Sequence, residues 1–188
     1  MPHQPIAIEL AYRLVNHGPT VIVSTTDGAQ PNACAVAWCA PASREPPRFC
    51  LTIGKRHKTF EQLMASGECV LNLPTSEALD ALMVCGRRSG HDGDKLSAAG
   101  IALEPSTRVC APRLACCAAW IECKLWGVPE WAEPGPSLVV LQALAAECRP
   151  GVLDREGFLD TDRFKTLHHL GGDRFVLPGE RLDGGESS

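Results

Sequence analysis

Short apolar runs separated by glycine- and proline-containing turns constrain the fold of this chain more than any other feature. Residues 20–24 and 48–54 are candidate strands rich in β-branched or aromatic side chains, and Asp27-Gly28 is typical of a turn between strands. A regular alternation of strands and helices, which would indicate a doubly wound parallel sheet, does not occur. The pattern therefore predicts a mainly β fold, a small β-barrel with short helical insertions.

The remaining elements follow from hydrophobic periodicity and from start and stop signals. Further strands are predicted over 32–40, 68–73, 114–128 with one break, and 174–177. Helices are predicted over 6–15, 59–67, from 75 or 76 to 86, and from 160 or 161 to 168, with one helical turn over 95–99 and a loop over 41–47. Thr59 and Gln62 have the spacing of a capping box at the start of the second of these helices.

One segment stays ambiguous at this level. Residues 137–148 begin with Val139-Val140-Leu141, which favours a strand, but continue with Gln142-Ala-Leu-Ala-Ala-Glu147, which has strong helix propensity. The chain has 188 residues, close to the common size of one domain. We therefore expect a single domain over 1–188, with a disordered tail over 181–188.

Composition excludes several classes of protein. Eighteen Lys and Arg against 22 Asp and Glu give a formal charge of −4, whereas nucleic-acid binders are usually basic. No run approaches the roughly 18 apolar residues of a membrane helix, and the first residues lack the pattern of a signal peptide. We expect a cytoplasmic protein that binds neither nucleic acid nor membrane.

The cysteine content is unusually high, with ten residues. Most of them stand in apolar runs, and no Cys-x-x-Cys spacing occurs, so the usual signatures of structural zinc and of thioredoxin-like chemistry are missing. We interpret them as reduced thiols that pack as small hydrophobic side chains. A cysteine-ligated metal protein is the alternative that metal analysis would decide. The ten are Cys34, Cys39, Cys50, Cys69, Cys85, Cys110, Cys116, Cys117, Cys123 and Cys148.

The segment Gly54-Lys-Arg-His-Lys-Thr59 is the strongest candidate for a binding site. It follows a predicted strand and precedes a predicted helix, whose first N–H groups and positive dipole end favour anions. Together with Lys55, Arg56 and Lys58 this predicts a phosphate site. The alternative is a solvated basic turn, and in that case the barrel would be a binding module for some other ligand.

Two weaker candidates accompany it. Small residues in Asn32-Ala-Cys-Ala-Val-Ala-Trp38 would let a flat ligand approach the strand backbone, although a tightly packed core strand has the same composition. His168-His169 suggests a metal, but adjacent helical positions point about 100° apart, so one packed and one exposed imidazole is the simpler interpretation. The glycine-rich dinucleotide and P-loop motifs are absent.

The order and spacing of several short motifs resemble one known family. In chain order they are Val21-Ile-Val-Ser-Thr-Thr26, Asp27-Gly28, Pro31-Asn32-Ala33 with Trp38, Pro46-Pro47, Gly54-x-x-x-Lys58-Thr59, Gly67-Glu-Cys-Val-Leu-Asn72-Leu-Pro74, and Leu167-His-His-Leu-Gly-Gly172 with Phe175. Over roughly residues 10–180 they resemble the flavin reductase-like, FMN-binding split-barrel family, particularly its flavoredoxin-like branch.

This resemblance implies a Greek-key split β-barrel, in which residues 137–148 are largely strand. It implies FMN as the cofactor, in preference to FAD. The strand that would contact the flavin ring, chiefly through backbone atoms, contributes Asn32, Ala33, Cys34, Ala35, Val36 and Trp38. The segment that would contact the phosphate contributes Gly54, Lys55, Lys58 and Thr59. Asn72 would lie close to this phosphate site, and Lys95 would lie near the flavin. Thiol chemistry at Cys34 or Cys39 is an alternative to simple packing.

The resemblance also implies the activity and the assembly. It implies an NAD(P)H-dependent oxidoreductase in which a nicotinamide transfers hydride to flavin N5, and from which electrons leave as free reduced flavin or reach a redox partner protein. It implies a homodimer with the flavin near the subunit interface. Many members carry a Gly-Asp-His segment where this chain has residues 131–137. The alternative function is therefore a flavoredoxin-like FMN electron carrier without efficient NAD(P)H turnover.

Overall fold

The computed structural model describes residues 18–129, 136–182 and 184 of the chain. Their strands are β1 Val21–Thr26, β2 Pro31–Val36, β3 Cys39–Arg44, β4 Pro47–Ile53, β5 Glu68–Leu73, β6 Leu103–Glu104, β7 Arg113–Leu114, β8 Ala119–Gly127, β9 Ser137–Cys148, β10 His168–Gly171 and β11 Arg174–Val176. Their helices are α1 Lys58–Ser66, α2 Leu79–Arg87 and α3 Lys95–Ala98, with 3-10 turns over Ser76–Ala78 and Gly90–Asp92. The fold is mainly β, as predicted.

Seven strands form one antiparallel sheet in the order β2-β1-β5-β8-β9-β4-β3. The sheet curls so that its two ends approach each other, since only residues 37 and 38 separate the end strands β2 and β3, and β2 also contacts β4. The enclosed core contains Val23, Leu51, Leu71 and Val139, each nearly inaccessible to solvent. Burying such a side chain stabilises the fold by roughly 1.5–3 kcal/mol relative to leaving it exposed.

A second core lies on the outer face of the sheet, where α2, α3 and the segment before β8 cover it. Ile22 and Val70 point from the sheet into this core, against Leu82 of α2 and Leu96 of α3. Since successive strand residues point to opposite faces, Ile22 and Val23 belong to different cores. Helix α2 is thereby fixed over β1 and β2, which places its C-terminal end beside the edge of the sheet.

Residues 137–148 form the strand β9, which the family resemblance implied and helix propensity opposed. β9 pairs with β4 along one edge and with β8 along the other. Ladder hydrogen bonds on both sides and burial of Val139 and Leu141 outweigh the helix propensity of residues 142–147. The predicted break in 114–128 is also confirmed, because a turn over 115–118 separates β7 from β8.

Three local predictions are wrong. The proline-containing segment 41–47 belongs largely to strand β3, which lies at the edge of the sheet, where proline is tolerated. The predicted helix ending at 168 is a series of turns leading into β10, because Leu167 O accepts a hydrogen bond from Thr20 N and Thr166 bridges to Thr75. The capping box does not form, since His57 is the N-cap of α1 and makes no side-chain cap bond.

The other helices lie close to their predicted positions, and the helix predicted over 6–15 lies outside the described residues. Five cysteines, Cys34, Cys69, Cys85, Cys117 and Cys123, are buried in the two cores. Within the described ranges, no helix is long and apolar enough to cross a membrane.

A buried ion-pair network ties the segment 105–113 to the outer face of the sheet. Arg113 is buried and forms ion pairs with Glu122, which is fully buried, and with Glu147 at 2.6 Å. Glu122 also accepts hydrogen bonds from Thr107 N at 2.9 Å and from Arg108 N at 2.5 Å. Burial alone would raise the pKa of Glu122, but these donors and Arg113 together hold it below its usual range.

The lowered pKa of Glu122 predicts a loss of stability in acid. A carboxylate whose pKa is depressed in the folded state contributes stability above its unfolded pKa, which is about 4.3, and loses it as the pH falls through the folded value. We expect the free energy of unfolding in urea to fall steeply below about pH 4. The Glu122→Gln variant should show a shallower fall over the same range, and equal slopes for both proteins would contradict the assignment.

Candidate functional site

A cleft of about 210 Å³ opens where β2, the start of α1 and the segment after α2 meet. Six residues predicted from the sequence line it: Asn32, Cys34, Ala35, Lys58, Thr59 and Lys95. Arg56 and His57 of the predicted basic segment line it as well. The structure therefore brings the small-residue strand and the basic segment to one place, although they are more than 20 residues apart in the sequence.

The far wall of this first cleft comes from the end of α2 and the segment after it. Arg87, Arg88, Ser89 and Gly90 line it, and sequence reasoning did not include them in the site. The signal available in the sequence was the Arg-Arg-Ser-Gly run over 87–90, directly after the helix predicted to end at 86. Its proximity to the basic segment depends on the packing of α2 over β2, which local patterns do not show.

Contacts among Asn32, Thr59 and Gly90 hold the three walls of the first cleft together. Asn32 Nδ2 donates to Thr59 Oγ1 at 2.8 Å, and both side chains are buried. A Cβ atom at Gly90 would lie 2.3 Å from Asn32 Oδ1, so only glycine permits this approach. Thr59 is therefore used to connect α1 to β2, and not to cap its own helix.

The first turn of α1 faces the cleft with unused donors. His57, Lys58 and Thr59 all line the cleft, and the first N–H groups of a helix have no carbonyl partner within it. His57, as N-cap, provides no side-chain acceptor for them. Four cations, Arg56, Lys58, Arg87 and Arg88, surround this helix start. The combination is suited to an anion with several oxygen atoms.

Lys95 is fixed by the end of α2. Its side chain is largely buried, and Nζ donates to Cys85 O at 3.2 Å and to Arg88 O at 2.7 Å. A cation is favourable at the carbonyl end of a helix. Burial lowers the pKa of Lys95, and the nearby thiols of Cys85 and Cys34 oppose this effect. Lys95 therefore orients the Arg87–Gly90 wall as well as facing the cleft.

The thiols near this site do not favour nucleophilic chemistry. Burial raises the pKa of Cys34, and it raises the pKa of Cys39 and of Cys85 to about 12. A thiol with such a pKa carries almost no thiolate at neutral pH. These values support packing over reactivity for Cys34 and Cys39.

Six of the predicted residues lie outside the set that lines the first cleft: Ala33, Val36, Trp38, Gly54, Lys55 and Asn72. Ala33 and Val36 are buried in the two cores, and Trp38 is half exposed between β2 and β3. Gly54 and Lys55 precede α1 in the turn. Asn72 is fully buried, where Nδ2 donates to Ile22 O and Ser24 Oγ while Oδ1 accepts from Leu114 N.

A second cleft of about 210 Å³ continues from the first along β2. The two share Ala35, Gly86 and Arg87, and a Cβ atom at Gly86 would lie 3.4 Å from Ala35 Cβ. The remaining lining residues are Thr20, Ala37, Leu82, Met83, His169, Gly172, Asp173 and Phe175. Arg87 forms an ion pair with Asp173 at 2.5 Å, which neutralises its charge on this side. The second cleft therefore has less positive charge and a more apolar lining than the first.

One buried polar atom in the wall of the second cleft has no partner. Thr20 is almost completely buried, and within the described ranges its Oγ1 makes no hydrogen bond. An unsatisfied buried hydroxyl costs roughly 1–3 kcal/mol. A polar atom of a ligand in this cleft is one way to compensate that cost.

The histidine pair lies on strand β10 and not on a helix. His169 Nε2 lies 2.8 Å from Gly172 O, and its ring packs 5.3 Å from Phe175, whereas His168 Nε2 lies 3.0 Å from Thr166 Oγ1. Adjacent strand residues point to opposite faces, so the two imidazoles do not converge. In the parts of the chain that the structure describes, no three His, Cys, Asp or Glu side chains could together hold a metal ion.

Comparison with known proteins agrees with this architecture. The family model described as "Flavin reductase like domain" matches residues 13–168. An uncharacterized protein, YddH of Escherichia coli K12, is 34% identical over 185 residues, which cover 96% of this chain and 97% of YddH. An uncharacterized protein of Methanothermobacter thermautotrophicus is 28% identical over 161 residues, covering 83% of this chain and 76% of that protein.

Solved structures share the whole fold. The crystal structure of an FMN-binding domain of a flavin reductases-like enzyme from Shewanella baltica OS155 is 30% identical, with a TM-score of 0.80 and 96% of each chain covered. Flavoredoxin of Desulfovibrio vulgaris (Miyazaki F) is 22% identical, with a TM-score of 0.84 and coverage of 100% of this chain and 98% of flavoredoxin. These matches confirm the predicted split-barrel fold, and the chain belongs to the flavin reductase-like domain family.

Proposed function

We propose that this protein is an FMN-binding flavoprotein oxidoreductase and that the first cleft holds the FMN phosphate. The observation that carries the proposal is the convergence of Arg56, Lys58 and Arg88 on the open N-terminal turn of α1, with the ion-paired Arg87 beside them. FMN carries one phosphate, and one helix start with a few cations is sufficient to bind it. The relative from Shewanella baltica, which is 30% identical, is described as FMN-binding, and this supports the same ligand here.

The two clefts offer groups that fit the phosphate and the ring of FMN. Lys58 Nζ lies 2.9 Å from Gln30 Oε1, which holds the ammonium group at the mouth of the cleft without neutralising it. The second cleft offers small residues, Ala35, Ala37 and Gly86, against which a flat ring can lie close to the edge of β2. Thr20 offers a hydroxyl whose hydrogen-bonding capacity is unused. We assign the phosphate to the first cleft and the ring to the second.

The protein groups would act by position and charge. Lys58 and Arg56 would bind the phosphate, Asn32 and Thr59 would keep α1 against β2, and Lys95 would place a further positive charge in the first cleft. Bound FMN would supply the redox chemistry itself, accepting and donating electrons at its ring. We assign no acid–base residue among Cys34, Cys39 and Cys85, since their raised pKa values argue against proton transfer at neutral pH.

For the electron donor we propose NAD(P)H, with electrons passed to free flavin or to a redox partner protein. The family to which the chain belongs is described as flavin reductase-like, and this supports a reductase. The second candidate is an FMN electron carrier, which the likeness to flavoredoxin favours at the level of fold. Residues 130–135, which include most of the segment that departs from the Gly-Asp-His pattern, lie outside the described residues. We also propose that the protein is a homodimer with the flavin near the subunit interface, and that it is cytoplasmic.

The visible absorption spectrum of the purified protein tests this proposal. It should be recorded as isolated, after addition of FMN, and then anaerobically with NADH or NADPH. Rapid bleaching of bound flavin by a nicotinamide is the result expected for the reductase, whereas bleaching by dithionite alone would identify an electron carrier. If no flavin binds even in excess FMN, the cofactor assignment fails.

The phosphate assignment predicts a selective effect of Lys58→Gln. Loss of one charge-assisted hydrogen bond should weaken FMN binding about tenfold, measured by quenching of flavin fluorescence. Riboflavin, which lacks the phosphate, should bind the variant and the wild type equally well. Lys124→Gln, at an exposed position on β8, is the matched control and should leave both affinities unchanged. Equal losses for FMN and riboflavin would mean that Lys58 does not contact the phosphate.

A further inference from the structure

The hairpin of β10 and β11 is one wall of the second cleft, and it is fixed to the rest of the protein at its base and at its tip. At the base, Thr20 N donates a hydrogen bond to Leu167 O at 2.8 Å. At the tip, Gly172 has a φ of 57°, in the left-handed region that glycine adopts without strain, and Asp173 follows it. Asp173 contacts α2, so the turn of the hairpin is connected to the helix that borders both clefts.

This connection is an ion pair that can open at small cost. Arg87 Nε donates to Asp173 Oδ1 at 3.2 Å, and Arg87 Nη2 donates to Asp173 Oδ2 at 2.5 Å. Both side chains are about 60% exposed. Exposed ion pairs contribute little to stability, because water solvates the separated charges almost as well. The guanidinium group is therefore held in place but is available to a stronger anion.

Arg87 stands at the boundary between the two clefts. Of the three residues that both clefts share, Ala35, Gly86 and Arg87, only Arg87 is charged. Asp173 lines the second cleft and not the first. Arg87 is also the last residue of α2, so its long side chain can turn from one cleft to the other without movement of the helix.

We propose that Asp173 and the FMN phosphate compete for Arg87, and that Asp173 thereby limits the affinity of the protein for phosphorylated flavin. The inference rests on the proposed function, which places the phosphate in the first cleft. A guanidinium group binds carboxylate and phosphate in the same bidentate geometry, and a phosphate ester carries more negative charge at neutral pH than a carboxylate. FMN binding would turn Arg87 from Asp173 to the phosphate, which makes Asp173 a positioning residue.

Release of Asp173 would loosen the wall of the second cleft. His169, Gly172 and Phe175 belong to the hairpin or its turn and line this cleft, in which we place the flavin ring. Inorganic phosphate is therefore expected to speed backbone hydrogen exchange in wild-type peptides that span 170–175. Asp173→Asn should show the faster exchange without phosphate, and phosphate should not speed it further. Unchanged exchange in the wild type at saturating phosphate would overturn the release of the hairpin.

Flavin titrations of the full-length protein test the competition directly. Asp173→Asn is expected to bind FMN about threefold more tightly than the wild type, because Arg87 no longer has to leave a carboxylate. Riboflavin, which has no phosphate, should bind both proteins equally well. Asp162→Asn is the matched control, because it removes the carboxylate of another exposed ion pair, with Lys165, and neither residue lines the two clefts. It should leave the affinity for FMN unchanged.

Dependence on Arg87 separates competition from a general effect of charge. In an Arg87→Gln background, Asp173→Asn should no longer raise the affinity for FMN. The inference is overturned by a gain that persists in that background, by an equal gain for riboflavin, or by an Asp173→Asn variant that binds FMN no more tightly than the wild type. The last of these results leaves the proposed function intact, whereas a wild type that binds no FMN removes both.

Discussion

The Arg113→Met variant is expected to lose about 3–5 kcal/mol of its free energy of unfolding. Arg113 donates to Glu122 through Nε at 3.1 Å and to Glu147 through Nη1 at 2.6 Å. Glu122 has no exposed surface, so removal of the guanidinium group would leave a buried carboxylate with only the donors of Thr107 and Arg108. Urea denaturation monitored by tryptophan fluorescence measures the loss through the transition midpoint and slope.

Two further variants show whether burial is the cause. The double variant Arg113→Met/Glu122→Leu removes both buried charges and should recover much of the stability lost in the single variant. Arg87→Met breaks an ion pair whose side chains are about 60% exposed and should cost less than about 1 kcal/mol. A single Arg113 variant as stable as the Arg87 variant would show that the network contributes little.

The Gly90→Val variant is expected to weaken FMN binding by a factor on the order of 100, equivalent to about 2.7 kcal/mol. Its Cβ would lie 2.3 Å from Asn32 Oδ1, so Asn32 must move and give up its hydrogen bond to Thr59. Overpacking of this kind typically costs about 1–3 kcal/mol. The walls of the first cleft would separate at the point where we place the phosphate. Flavin fluorescence titration measures the affinity.

A second glycine provides the control for this experiment. A Cβ atom at Gly127 would meet no atom within 4 Å, so Gly127→Val tests the effect of a branched side chain away from the cleft. It should leave FMN affinity unchanged. Circular dichroism of Gly90→Val shows whether the fold persists. A folded Gly90→Val variant with wild-type affinity for FMN would place the phosphate elsewhere.

Local sequence patterns predicted a strand or helix correctly where its own residues determine its structure. The β-branched run at β1 and the glycine that ends α1 predicted those elements close to their observed bounds. The basic segment before α1 was likewise predicted, because a strand followed by cations and a helix start is a local pattern. The confirmed split-barrel fold, by contrast, rested on the ordered set of motifs that resembles a family.

Long-range packing explains what local patterns did not show. Arg87 and Arg88 reach the first cleft because α2 packs over β2, and a glycine at position 90 permits the close approach of Asn32. The family resemblance implied that Asn72 lies close to the site. In the structure its amide group donates to Ile22 O on β1 and accepts from Leu114 N. The helix predicted up to 168 does not form, because Leu167 O accepts a hydrogen bond from Thr20 N, which lies almost 150 residues earlier in the chain.

The position of β9 in the sheet has a consequence for synthesis of the protein. β4 and β8 both pair with β9, which spans Ser137–Cys148, so both expose an unpaired edge until those residues leave the ribosome. Exposed strand edges of a nascent chain are sites of misassociation, and contacts between distant segments form slowly. Ribosome-bound chains that stop before β9 should therefore recruit chaperones, and this demand should end once the strand has been inserted.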